Sequence, residues 1–232
     1  MTTGTTKAAR RPLSRDRVLA AAMSLADAEG LAAVTMRRLA ADVGVEAMSL
    51  YHHVPGKEGL LDGLAEAVLV EINVAVEARV RPDDDWPAAL RHRCLGAREV
   101  MVRHRWAPGL LGSRSSIPPG LYPYYEEILA TMIRGGLTYH LGHRAIHALG
   151  TMVLGFTQEL FTPDADGGTM DEEAAEAEFA AMADVLPHLT TMVASEVHDN
   201  EEDPLGWCDS QQEFEFTLDL LLDGLARAAT HQ

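Results

Sequence analysis

From Leu13 onward, apolar residues recur every three or four positions in short stretches separated by Gly, Pro or polar interruptions. That spacing predicts consecutive amphipathic helices. Ser14 is a natural N-cap, Val18, Leu19, Ala22, Met23 and Ala26 share one face, and Gly30 stops the helix. Thr35 then predicts the cap of a short helix over Met36 to Val43, with Leu39, Ala40 and Val43 turned inward. Gly44 suits a left-handed turn position that a side chain would disfavour. Val45 packs beneath that turn, and a second short helix spans about Ala47 to His53 until Pro55-Gly56 breaks it. A longer pattern runs from about Lys57 to Val80 and ends at Pro82.

Asp85 predicts the cap of a further helix reaching about Arg105, with Trp86 and Pro87 in the first turn, where proline is tolerated. "APGLLGSRSSIPPG" reads as a loop with at most one helical turn. Residues 121–134 form the next helix, stopped by Gly135-Gly136, and Thr138 caps another that ends near Phe161. After the acidic loop "TPDADGG", residues 171–197 are helical in pattern and broken by Pro187. The last helix, about Asp209 to Ala228, carries Phe214, Leu218, Leu221, Leu222 and Leu225 on one stripe. No run alternates as a strand does, so the expected fold is all-α. It comprises a flexible basic arm (1–12), a three-helix helix-turn-helix head (13–60) and a larger helical body (61–232).

Charge divides the chain in the same place. The net charge is −16, yet residues 1–60 hold eight basic against six acidic side chains, a net of +2. The other 172 residues hold 11 basic and 29 acidic side chains, a net of −18. Only the head could approach a polyanion, because the phosphate field governs that approach. Cys94 and Cys208 are isolated thiols without metal-ligand spacing, and the N-terminus has no apolar leader. No apolar run is long enough to span a membrane, and a cytoplasmic location is expected.

A head of this kind reads DNA by laying the second helix of the pair in a groove. Arg37 and Arg38 open the first helix of the pair, where their charge meets phosphate. Small or slender Ala47, Met48 and Ser49 begin the second, and Tyr51, His52 and His53 extend its outer edge. Ser49 offers a hydrogen bond and Met48 an apolar contact to a thymine methyl. Lys57 is placed for a backbone contact at the start of the long helix.

The stretch "GLAAVTMRRLAADVGVEAMSLYHHVPGKEGLLDGL" resembles the DNA-binding head of the TetR family of bacterial transcriptional repressors. The resemblance implies DNA contacts from Met36, Arg37, Ala47, Met48, Ser49, Tyr51, His52, His53 and Lys57. His52 and Ala47 replace a tryptophan and a base-reading glutamine of the tetracycline repressor, so no operator sequence carries over. "DDDWPAALRHRCLGAREVMVRHRWAPGLLGSR", "LGFTQEL" and "FEFTLDLLLDGLA" are similar to the tetracycline-repressor-type C-terminal domain, while residues 163–207 match poorly. This implies a homodimer on a palindromic operator, released by a small-molecule effector.

By the same resemblance, Asn73, Arg93, Leu110, Ile128, Thr151 and Glu159 line the effector site. The helix over 138–161 and the last helix pair two copies, through Gly150, Gly155, Phe214, Leu218, Leu221, Leu222 and Leu225. Gly142 is a further point of close helix approach. Leu110 stands where a metal-binding histidine is expected and Ile128 where a glutamine is, so a magnesium-tetracycline effector is not expected. His92 and His104 are expected to cap or line the cavity.

His140, His143 and His147 share one side of a helix, and the last two have chelating i, i+4 spacing. No HExxH or cysteine cluster completes a site, so neither metal nor cofactor is expected. The acidic run at 171–178 reads as a solvated face. Two other classes stand beside the regulator: a metal hydrolase using the three histidines and Glu159, or a protein-binding adaptor. Neither accounts for a positive helix-turn-helix head.

Overall fold

The computed structural model describes residues 12–115, 117–157, 177, 181–196 and 210–231, and every regular element among them is helical. In chain order these are α1 (Arg15–Glu29), α2 (Met36–Val43), α3 (Ala47–Leu50), α4 (Gly56–Glu77) and α5 (Trp86–Arg103). Then come α6 (Ala107–Ser113), α7 (Tyr122–Arg134), α8 (Tyr139–Gly155), α9 (Pro187–Glu196) and α10 (Ser210–Ala229). Hydroxyl or carboxylate caps start four of them: Ser14 accepts from the Arg17 amide, Thr35 from Arg38, Asp85 from Ala88 and Thr138 from Leu141. Each such cap is worth about 1 kcal/mol.

Three elements differ from expectation. α3 stops at Leu50, because the Leu50 carbonyl accepts from both His53 and Val54, each at 2.9 Å, and closes residues 51–54 into a turn. The stretch from Ala107 to Ser113, expected to be mostly loop, is a helix whose Leu110 is buried. Gly109 and Gly112 weaken its local signal, and tertiary burial overrides them. The break expected at Pro187 falls just before it, in a turn over residues 182–185, and Pro187 itself opens α9, where a missing N–H costs nothing. α8 ends at Gly155, Phe156 and Thr157 turn out of it, and residues 158–161, expected to continue it, lie outside the described residues.

Two buried clusters make the interior. The first joins α1 to α3 through Val18, Leu19, Leu39, Leu50 and Val54. The second joins α5, α7, α8 and α10 through Leu90, Val100, Met132, Leu149, Phe214 and Leu218. α4 threads both, giving Leu60, Leu64 and Ala65 to the first and Val68, Leu69, Ile72 and Val76 to the second. α6 lies beside α4 at the seam: Leu110 is part of the first cluster, and Leu111 and Trp106 pack against both. At about 1.5–3 kcal/mol for each fully buried large apolar side chain, this shared packing ties the two clusters mechanically.

α10 lies on α5 and α8. The Phe214 ring meets Phe156 edge-on at 5.8 Å, and the Arg98 guanidinium sits 5.1 Å from the Phe214 ring centre. Arg98 also donates to the Ser210 hydroxyl at 2.9 Å, and Arg91 donates to Glu215 at 2.6 Å and Asp219 at 2.8 Å.

Candidate nucleic-acid interface and body cavity

α2 and α3 are fixed by the turn between them. Gly44 adopts φ 74° and ψ 41°, and the Gly44 and Val45 amides both return to the Ala40 carbonyl, at 2.9 and 3.0 Å. Such a left-handed close suits glycine. Leu50 and Val54, both fully buried, pin α3 and the following turn to α1 and α4. What remains outside is Met48 at 72% exposure and Tyr51 at 48%, together with exposed His52. Met36, Ala47, Ser49 and His53 are half-buried at the edges of the same surface. Arg37 and Lys57 are exposed and make no ion pair among the described residues. Arg38 differs: it pairs with Glu29 at 2.6 Å and with Asp42 at 3.4 Å, so much of its charge is already answered.

A cavity of about 300 Å³ lies between α4, α5, α7 and α8 and the chain following α6. Of the expected lining residues, Arg93 and Ile128 face it. Asn73 stands behind, its Oδ1 accepting from the Arg93 Nη1 at 3.3 Å. Leu110 does not line it: its side chain is buried in the cluster with α1 and α4, and the neighbouring Leu111 faces the cavity instead. Thr151 is on the exposed side of α8, since adjacent positions on a helix point apart, whereas Gly150 does border the cavity. Glu159 lies outside the described residues.

Sequence reasoning missed Arg114, Tyr124, Tyr125 and Cys94 on the cavity wall. Burial pushes the Cys94 thiol up to about 12, so it packs as an apolar group. Arg114 joins the cavity to α4, donating to Glu58 at 3.0 Å and Asp62 at 2.6 Å.

Neither His92 nor His104 lines this cavity. The His92 Nδ1 lies 2.9 Å from Asp84. His104, at the end of α5, is buried between two carboxylates: Nδ1 is 2.7 Å from Asp27 on α1 and Nε2 is 3.0 Å from Glu71 on α4. Burial alone pulls its pKa down. The hydrogen bonds and charges of Asp27 and Glu71 outweigh that and hold it above the ordinary histidine value. The Trp106 indole N–H also donates to Asp27 at 2.6 Å, and Arg103 to Glu71 at 2.9 Å. Acidic and basic partners more than 30 positions apart leave no spacing by which sequence could reveal them.

The expected pairing stripe on α10 needs correcting. Phe214, Leu218 and Leu222 are buried against α5 and α8 of the same chain, and Leu221 and Leu225 are half-buried on that core. A single chain already needs that face to cover its own body. The apolar side chains left outward are Phe216, 63% exposed, and Leu220, 54% exposed. On α8, Gly150 and Gly155 are exposed, and a Cβ at either would meet open space. Gly142 is used internally, since a Cβ there would come within 2.9 Å of Leu129. His140, His143 and His147 are all exposed, with the last two rings 4.7 Å apart. Among the described residues, no three His, Cys, Asp or Glu side chains are grouped to hold a metal ion, and no helix is long and apolar enough to cross a membrane.

Comparison with known proteins finds two family models along the chain. Residues 18–64 match the bacterial regulatory proteins of the tetR family, and residues 80–229 match the tetracyclin repressor-like C-terminal domain. The chain is 32% identical over 216 residues to the HTH-type transcriptional repressor DrrR1 of Streptomyces coeruleorubidus, across 92% of this chain and 77% of that protein. It is 27% identical over 216 residues to the class C tetracycline repressor protein of Escherichia coli, covering 93% and 91% of the two chains. Apo ActR from Streptomyces coelicolor shares the fold with a TM-score of 0.71 at 25% identity, over 96% of this chain and 99% of that one. The complex of ActR with actinorhodin gives 0.69 at 26% identity, over 94% and 99%.

Proposed function

The chain belongs to the tetR family of bacterial regulatory proteins, and from that premise we propose a ligand-released repressor that acts as a homodimer on a palindromic operator in the cytoplasm. The head, residues 13–60, reads the DNA. Arg37 and Lys57 hold phosphate, Met48, Tyr51 and His52 present the outermost reading edge, and Met36, Ala47, Ser49 and His53 complete it. Arg38 orders α2 through Glu29 and Asp42 and adds less to DNA affinity. The body, residues 61–232, pairs two copies and holds the effector, with Phe216 and Leu220 on α10 and Gly155 on α8 toward the partner, while Gly150 borders the cavity.

The observation that carries this reading is that two outward-facing, uncommitted cations flank an exposed reading edge. All of this lies in residues 1–60, which carry a net charge of +2 while the remaining residues together carry −18. The test is a gel-shift of the purified protein on the DNA upstream of its own coding region, titrated with salt. A retarded complex that weakens steeply as salt rises, and is lost in His52→Ala with Lys57→Ala, is expected. A protein that shifts no DNA at low salt sinks the regulator reading.

The effector is a largely apolar small molecule in the body cavity. Aliphatic walls from Leu69, Leu90, Leu121, Ile146 and Val153 support this, as does the actinorhodin that the similar ActR binds. Magnesium-tetracycline is not expected: Leu110 is given to the head cluster and Ile128 offers no hydrogen bond.

A further inference from the structure

We propose that the effector is an anion: a ring-bearing organic acid whose charged group pairs with the Arg93 guanidinium while its rings fill the apolar cavity. This rests on the cavity being the effector site and adds the chemical class of what it takes. Of the described residues lining the cavity, two carry formal charge, Arg93 and Arg114, and both are positive, inside a chain whose net charge is −16.

The two arginines are not equivalent. Arg114 turns its charge to Glu58 and Asp62 on α4. Arg93 has neutral partners: the Asn73 side-chain carbonyl at 3.3 Å and the face of Tyr124, whose ring centre is 5.2 Å from the guanidinium carbon. A guanidinium carries five N–H donors in a planar fork that matches a carboxylate two bonds at a time. One such bond is used by Asn73, so the geometry of the group is set while its charge is unmatched by any carboxylate among the described residues. Arg93 is half-buried, and an incoming acid supplies the charge partner that the cavity wall does not. A cationic ligand would meet two like charges and no acid.

The surroundings favour the same class. Tyr124 is pushed up to about 12 by burial, so its phenol stays neutral and does not repel an anion. Tyr124 and Tyr125 meet edge-on with centres 5.7 Å apart, leaving ring surface for an aromatic ligand. At about 300 Å³ the space is at the small end of ligand pockets.

The test uses three probes of one shape, naphthoate, naphthamide and naphthylmethylammonium, titrated calorimetrically into the full-length protein. Naphthoate is expected to bind about ten- to a hundredfold more tightly than the amide, as one charge-assisted pair allows, and the ammonium most weakly. Arg93→Gln should remove the preference for the acid over the amide, with unchanged helical content by circular dichroism showing that the variant is folded. Leu154→Trp, which narrows the cavity from a half-buried lining position, should weaken every probe. Equal affinities that fall together in Leu154→Trp overturn the charge assignment and leave the cavity standing. An acid preference that survives Arg93→Gln overturns the charge assignment in the same way. Probes indifferent to Leu154→Trp bind elsewhere, and then the cavity reading falls together with the inference. A naphthoate that does not bind overturns it as well.

Discussion

His104 makes the junction of head and body sensitive to protons, and the sign of that sensitivity follows from its geometry. Both ring nitrogens face carboxylate oxygens, 2.7 Å to Asp27 and 3.0 Å to Glu71. A neutral imidazole donates from one nitrogen only, so the arrangement is fully satisfied by the imidazolium. Hydrogen bonds to charged groups contribute about 1.5–3 kcal/mol each. The carboxylates are 36% and 37% exposed, and discounting for solvent screening leaves about 1–2 kcal/mol for the pair. The folded pKa is raised, so this stabilisation is full below the unfolded histidine value of about 6.5 and is lost as pH rises through the folded value.

His104→Gln keeps one donor and removes the charge. Thermal unfolding of the two proteins should differ by roughly 2–8 °C near pH 6, at about 2–4 °C per kcal/mol for a chain of this size. The gap should narrow toward pH 9. A gap that is constant or widens with pH would refute the assignment of charge to His104, and no gap at any pH would refute the clamp itself.

Four further outcomes follow from the packing and the ion pairs. Leu110→Ala empties a site shared between α6 and the head cluster and should cost about 2–5 kcal/mol, read by urea denaturation. A loss under about 1 kcal/mol, well below that range, would mean that α6 does not anchor the head. In DNA binding titrated with salt, Arg37→Ala should lower the slope of affinity against salt by about 0.9 per protomer, about 1.8 for the dimer. Arg38→Ala should lower it by clearly less, because Glu29 and Asp42 already answer that charge; equal changes would contradict the distinction. Phe216→Glu, at an outward position of α10, should halve the mass seen by sedimentation without lowering helical content. Arg114→Ala should weaken release from DNA at saturating effector, measured by anisotropy with and without effector. Unimpaired release would place the coupling elsewhere.

Much of the head was legible because its signals are local. Ser14, Thr35 and Gly44 act within a turn of their own position, and each caps or closes the helix it was expected to. On α2 the expected Leu39, Ala40 and Val43 are buried, and on α1 Val18, Leu19, Ala22 and Ala26 are, whereas Met23 is half-buried and Leu25 is buried as well. The cavity was half legible. Arg93 and Ile128 face it, but Leu110 and Thr151 do not, since one step along a helix turns a side chain by about 100° and moves it to another environment. The stripe on α10 failed for a different reason. Periodicity identifies an apolar face without saying whether its own chain or a second copy covers it, and here Phe214, Leu218 and Leu222 serve the chain itself. The clamp of Asp27, His104 and Glu71 had no sequence signal, because its members come together only when α1, α4 and the end of α5 are packed.

The same packing explains how an acidic body can govern a basic head at a distance. α4 is a single helix whose early turns belong to the head cluster and whose later turns belong to the body cluster, with Leu69 bordering the cavity. A ligand against Leu69 and Arg114 therefore touches the helix that carries Lys57, and touches the arginine that holds Glu58 and Asp62 on its first two turns. Occupancy by itself shifts nothing: a ligand that binds two head positions equally well leaves their ratio unchanged. Release requires that the ligand favour the arrangement in which the head misfits its operator. The two-carboxylate grip of Arg114 is a contact through which such a preference acts, because a ligand that draws the guanidinium into the cavity must loosen it from Glu58, Asp62 or both. Lys57 lies next to Glu58 in sequence, so a change made at the cavity wall arrives one residue from the proposed phosphate contact.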